Sequence, residues 1–226
     1  MKRIEIEQDT SEWLDYKRTK IGGSGAKNTA VPLKTGKDRT PAGFWDLVAN
    51  KLTTPLDGSE APTDRGHRLE VEVAEELKEK LGIDFESKPT VWVSEQDEDL
   101  ILSSDACEPV EVPTYDAEIK AFSKFGKHFK LLYQLNQGDD GIDLLNMGYG
   151  SDFRTQILHG FVVNPKLKTR YFASYCPEAI YQKHKLAIVK IDREDYEDEI
   201  QELMSQELST LENVRDIVSE LTGDDF

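Results

Sequence analysis

Ser103-Ser104-Asp105-Ala106, a turn-rich insert, and then Tyr115-Asp116-Ala117-Glu118-Ile119-Lys120 form the stretch around which the rest of the chain organises. The second half reads as a strand. Side chains alternate across a strand, so Glu118 and Lys120 share one face while Tyr115, Ala117, Ile119 and Ala121 share the other and point to a core. Asp105 and Glu118 supply hard oxygen donors of the kind Mg²⁺ takes, and Lys120 places a cation beside them. That set suits metal-assisted hydrolysis of a phosphodiester. Taken alone, a Glu-x-Lys pair is more often a solvated pair on a surface strand. Three further segments bear on the choice.

The first runs from Arg65-Gly66 through Glu70 to Leu81-Gly82 with the period of an amphipathic helix closed by glycine. Leu69, Val73, Ala74, Leu77 and Leu81 form one arc with Glu70 near its middle, whereas Glu72, Glu75, Glu76 and Glu79 fall opposite. A carboxylate on a buried arc requires compensation, from a metal ion or from an arginine across the core. The second is the Gly-rich basic stretch Lys17-Arg18-Thr19-Lys20-Ile21-Gly22-Gly23-Ser24-Gly25, which continues to Arg39 with seven bases against one acid. Glycines let backbone N–H groups turn toward an anion, and Ser24 adds a hydroxyl; a solvated loop has the same composition. The third is 152–163, apolar nearly all round and so expected as a buried helix. Gln156 and Arg154 are its polar exceptions. A buried amide needs a partner, and the carboxylates above or another core element would each provide one.

In this order the segments resemble the phage lambda exonuclease and YqaJ-like recombinase family, a branch of the PD-(D/E)xK nucleases. The resemblance begins at Trp13, Lys17, Arg18 and Ser24 and continues through Arg65-Gly66 and Glu70. Ser103-Ser104-Asp105-Ala106 stands where the family usually shows Ser-Pro-Asp-Gly, without the Pro and the Gly. Glu118-Ile119-Lys120 matches Glu-hydrophobic-Lys, Phe153 and Gln156 stand at Tyr-x-x-Gln, and Tyr171 to Tyr175 with Pro177 resembles the late strand. The resemblance implies a Mg²⁺-dependent 5′-to-3′ exonuclease acting on linear double-stranded DNA from 5′-phosphorylated ends. Its products would be 3′ single strands for recombination by annealing. It implies that Asp105, Glu118 and the Ile119 carbonyl hold one ion, that Asp105 bridges to a second with Glu70 nearby, and that Mn²⁺ can substitute. Lys120 would activate water, Gln156 would support the site, and Lys17, Arg18, Ser24 and Ser103 would bind the 5′-phosphate. A ring-shaped homotrimer, a single-strand annealing partner, and a phage or prophage source acting in the bacterial cytoplasm are implied in the same way. A site-specific or structure-specific endonuclease on the same core, or a non-catalytic DNA-binding relative, are the rival readings.

Length and composition agree with a single α/β domain over 1–226. The start lacks the hydrophobic stretch of a signal peptide, and no apolar run is long enough to cross a bilayer. Cys107 and Cys176 are too few for a disulfide framework or an iron–sulfur cluster, and His67, His128, His159 and His184 lack zinc spacing. The formal net charge of −16 looks wrong for a DNA enzyme. Residues 192–226, however, hold thirteen acids and two bases, which leaves only −5 for the rest. Lys124, Lys127 and Lys130 offer a second basic patch after the Glu-x-Lys strand.

Helices are expected at 41–52, 65–81, 152–163 and 192–221, the last with an apolar stripe from Tyr196 to Leu221. Strands are expected near 91–93, 100–103, 115–121, 170–175 and 186–191. Such alternation favours a central mixed sheet flanked by helices, the restriction-endonuclease-like core that the resemblance also implies. Residues 55–64 and 136–150 read as surface loops, the second a candidate for DNA or subunit contact.

Overall fold

A computed structural model describes residues 43–54, 62–87, 91–122, 124–146 and 153–222. The expected phosphate-binding residues Lys17, Arg18 and Ser24 lie outside them. The described elements are α1 (Phe44–Leu52), α2 (Pro62–Leu81), β1 (Val91–Val93), β2 (Ile101–Ser103), β3 (Ala106–Cys107), β4 (Tyr115–Lys120), α3 (Gly126–Asn136), α4 (Phe153–Val163), β5 (Thr169–Tyr175), β6 (Leu186–Asp192) and α5 (Glu197–Thr222). Short 3₁₀ turns occur at Ile142–Leu145, Gln182–His184 and Arg193–Asp195. The chain divides into two compact units.

The second unit comprises the described parts of His67–Lys120, Asp140–Ala173 and Ile188–Phe226. Its sheet has the order β3-β4-β5-β6. β3 runs antiparallel to β4, with Ala106 opposite Ala117 and Cys107 opposite Asp116. β4 and β5 start side by side, since the Thr114 carbonyl accepts from the N–H groups of Lys168 (2.7 Å) and Thr169 (3.3 Å). They therefore run in the same direction. The start of β5 meets the end of β6 through Arg193 N–H to the Lys168 carbonyl (2.8 Å) and Thr169 Oγ1 to Asp192 Oδ1 (2.7 Å), so that pair is antiparallel. The result is the mixed sheet with flanking helices expected from the sequence. β1 and β2 form a separate antiparallel ribbon, Val93 facing Ile101.

α2 buries Leu69, Val73, Ala74 and Leu77 and exposes Glu72, Glu75 and Glu79, whereas Glu70 is half-buried. It starts three residues earlier than expected because Pro62, at the first helical position, has the φ a helix needs and no N–H to waste. It stops at Gly82, whose φ of +70° admits a residue without Cβ most readily. Two expectations need correction. Part of 136–150 is core: Ile142, Leu144 and Leu145 are buried on their 3₁₀ turn, and the Tyr196 hydroxyl accepts from Ile142 N–H (3.1 Å). The C-terminal α-helix begins at Glu197, not at 192, because Arg193–Asp195 form a 3₁₀ turn of their own.

The first unit comprises the described parts of Met1–Gly66, Ala121–Asp139 and Ser174–Ala187. Ala49 on α1, Phe125 and Phe129 at the start of α3, and Cys176 and Ala179 form its core, with Trp45, Val48, Leu52 and Leu132 against them. Arg65, almost wholly buried, donates to both Glu178 carboxylate oxygens (2.8 and 2.9 Å) and to the Ala121 carbonyl (3.1 Å). α3 carries Lys127 and Lys130 of the basic patch on a helix that the sequence reading did not expect.

Candidate active site

β4 is buried more completely than an alternating strand with one wet face. Asp116, Ala117, Glu118 and Ile119 are all buried, and only Tyr115 and Lys120 are half-exposed. The apolar face behaves as expected, with Ala117 inaccessible and Ile119 nearly so. The opposite face carries Asp116, Glu118 and Lys120 in line.

Glu118 has 2% of its side chain exposed, whereas Lys120 keeps 27%. The Lys120 ammonium pairs with Glu118 Oε1 and stands 5.7 Å from the centre of the Phe153 ring. From α4 the Gln156 amide donates to the same Oε1 (2.7 Å). Gln156 is exposed, not buried as its apolar surroundings on α4 suggested, but its amide finds the carboxylate that was one of the two partners foreseen. Asp105, in the loop between β2 and β3, accepts from the Ile119 N–H (2.7 Å) and so is held against β4. The structure thus brings Asp105, Glu118, Lys120 and Gln156 together. Glu70 on α2 is close enough for its charge to oppose ionisation of Asp105. Ser103 is exposed on β2, and its neighbour Ser104 turns inward.

Burial pushes the Asp105 carboxyl up; the Ile119 N–H and Lys120 oppose that rise, and the Glu70 charge adds to it. Burial likewise raises Glu118, the Asp105 charge raises it further, and Lys120 counters. Two carboxylates that burial and their mutual repulsion hold back from ionisation match the donor set of a divalent cation, which prefers hard oxygens. Among the described residues no three His, Cys, Asp or Glu side chains converge as a ready metal cluster, so the fit rests on the Asp105–Glu118 pair with Glu70 beyond it.

Beneath this face lies an arrangement that sequence reasoning missed. Asp116 and Arg170, both 0% exposed, form a two-pronged ion pair: Nε to Oδ1 at 2.7 Å and Nη2 to Oδ2 at 2.8 Å. The Ser104 hydroxyl donates to Asp116 Oδ2. Arg170 Nη1 donates to the carbonyls of Gln156 (3.0 Å) and Ile157 (2.9 Å). The signal for Asp116 was its period-two spacing from Glu118 and Lys120. Arg170 offered a weaker one, as a lone charge at the start of an apolar strand.

No family model matches the sequence, and no curated protein matches it. Among solved structures the chain is similar to LHK-Exo in complex with dAMP, with a TM-score of 0.51 and 16% identity over 95% of this chain and 98% of that one. It is also similar to an alkaline exonuclease (LHK-Exo) from Laribacter hongkongensis, with a TM-score of 0.49 and 15% identity over 95% and 98%. The first likeness establishes the fold, an α/β architecture with a mixed sheet flanked by helices.

Proposed function

We propose that the protein is a Mg²⁺-dependent exonuclease that degrades linear double-stranded DNA from 5′-phosphorylated ends in the 5′-to-3′ direction, leaving 3′ single strands for recombination by annealing. The observation that carries this reading is the pairing of half-buried Asp105 with buried Glu118, both pushed toward protonation, with Lys120 and Gln156 bonded to one oxygen of Glu118. The fold shared with LHK-Exo supports DNA as substrate. Asp105, Glu118 and the Ile119 carbonyl would hold one Mg²⁺, with Asp105 shared toward a second near Glu70, and Mn²⁺ would substitute. Bound there, a divalent cation supplies neutralisation of phosphate charge and a more acidic water. Lys120 orients the attacking water and sets a positive charge beside the scissile phosphate. Gln156 fixes the Glu118 carboxylate, and Lys17, Arg18, Ser24 and Ser103 bind the terminal 5′-phosphate. A homotrimeric ring and a single-strand annealing partner complete the reading.

The test compares linear 5′-phosphorylated duplex with covalently closed circles, each with Mg²⁺ and with chelator. Only the linear substrate with Mg²⁺ should disappear, and faster than its dephosphorylated form; Lys17→Ala or Arg18→Ala should erase that preference. Asp105→Asn and Glu118→Gln should lose about 10²-fold or more of the rate, as removal of a group that stabilises transition-state charge does. Mg²⁺ should raise the unfolding temperature of the wild type but not of Asp105→Asn, because a ligand that binds only the native state stabilises it. Equal cutting of closed circles would transfer the assignment to the endonuclease, and turnover by either variant would remove the site.

A further inference from the structure

We propose that Arg170 is a positioning residue of this site: it holds α4 in register with β4 so that the Gln156 amide meets Glu118. A buried ion pair is weak as a source of stability, since desolvation of the two charges offsets most of their attraction. Arg170 and Asp116 are both inaccessible, so the role of the pair is better sought in geometry. Four of the five guanidinium hydrogens are accounted for, two on the Asp116 carboxylate and two on the carbonyls of Gln156 and Ile157. The planar fork therefore touches β4 on one side and α4 on the other.

The bonds close a loop. Asp116 lies two residues before Glu118 on the same face of β4. The carbonyl that Arg170 grips belongs to Gln156, the residue whose amide donates to Glu118 (2.7 Å). A slip of α4 along β4 would break both ends of the loop together. The chain has made room for this contact. Gly160 lies one turn after Gln156, and a Cβ there would overlap the Arg170 guanidinium. Glycine inside a helix is otherwise unfavourable. Ser104 carries the same bond set to the neighbour of Asp105.

The proposal rests on the nuclease reading for its kinetic arm, and its spectroscopic arm is independent of activity. Arg170→Lys keeps the charge and loses the fork; Ser104→Ala loosens Asp116 while leaving the ion pair. Each is measured for kcat and KM on linear duplex, alone and combined with Gln156→Ala. Arg170→Lys should lower kcat by about tenfold or more through misplacement, with KM nearly unchanged, and should add little to Gln156→Ala because the two act through one contact. Ser104→Ala should behave alike with a smaller fall. In parallel, the ¹⁵N–¹H signals of the Gln156 carboxamide are compared in wild type, Arg170→Lys and Glu118→Ala. The Arg170→Lys signal should move to the Glu118→Ala position while that of Asn164, whose amide bonds the Pro113 carbonyl, stays in place. An unmoved Gln156 signal, or kinetic effects that multiply in the double variants, would overturn the proposal even in an active nuclease. A wild type without nuclease activity would sink the functional reading alone, and the spectra would still decide the positioning role.

Discussion

His128 has no accessible surface, and both ring nitrogens are engaged: Nε2 at 2.7 Å from the His184 carbonyl and Nδ1 at 2.8 Å from the Ser174 hydroxyl. A carbonyl only accepts, so Nε2 carries the proton and Nδ1 accepts from the hydroxyl. That satisfies a neutral ring completely, and burial lowers the pKa from 6.5 to about 4. A base with a depressed folded pKa contributes stability that is present above its unfolded pKa and lost as pH falls through its folded one. Urea midpoints should therefore fall between pH 6.5 and 4, the His128 share reaching about 3 kcal/mol. His128→Gln should flatten that slope. An unchanged slope would assign the acid sensitivity to other groups. The carboxylates of the site act with the opposite sign: Asp105 and Glu118 are raised, so their protonation favours the folded state as pH falls. Glu118, Lys120 and Gln156 were legible in the sequence because spacing on a strand and polarity on an apolar helix are local patterns. Arg170 was not, because the value of a buried charge depends on Asp116, Gln156 and Gly160, which only tertiary structure assembles.

At the scale of elements, α4 shows how one residue decides the fit of a helix to a sheet. Its apolar side, Ile157, Leu158, Phe161, Val162 and Val163, is buried, and Gly160 opens the space into which Arg170 reaches. Gly160→Ala gains about 1 kcal/mol of helix propensity. It also displaces a guanidinium bonded on two sides, so the net effect should be a loss of about 2–4 kcal/mol, read as a lower urea midpoint. A variant as stable as wild type would mean that the guanidinium moves aside freely. The element boundaries followed local chemistry where that chemistry was strong: the glutamate-lined, apolar-backed α2 ends at Gly82, and β4 and β5 lie within one residue of expectation. α3 escaped notice because its N-cap is Phe125, which makes no side-chain cap bond, and because its lysines drew the reading toward a basic patch. Its buried side, Phe129 and Leu131 with His128, becomes visible once Phe125 is counted with it.

For the whole molecule, the proposed function requires a chain of net charge −16 to bind DNA. Most of that charge sits after residue 191, and on α5 Glu197, Asp198, Glu202, Glu212, Asp216 and Glu220 are exposed. α5 is anchored at its start by Ile200, which is 1% exposed. Further along, Arg215 pairs with Asp97 and Asp99 at the turn of the β1–β2 ribbon. On the side of α5 away from Arg215, the apolar stripe foreseen in the sequence surfaces at Val214, 50% exposed, and Leu221, 81% exposed, and Ile217 beside them, which that reading did not include, is 57% exposed. Apolar side chains in a row on a helix otherwise covered with acid mark a surface for association. A ring of subunits with acid outside and bases inside would direct DNA by field alone. We expect the protein to self-associate through this stripe, with light scattering giving a mass three times the 25.7 kDa of one chain. Ile217→Lys should reduce that mass to one chain and shorten the tract digested per encounter, because the substrate is then no longer encircled. A wild-type mass of one chain at micromolar concentration, with and without DNA, would rule out the ring and leave α5 as an acidic helix whose apolar row is exposed to solvent.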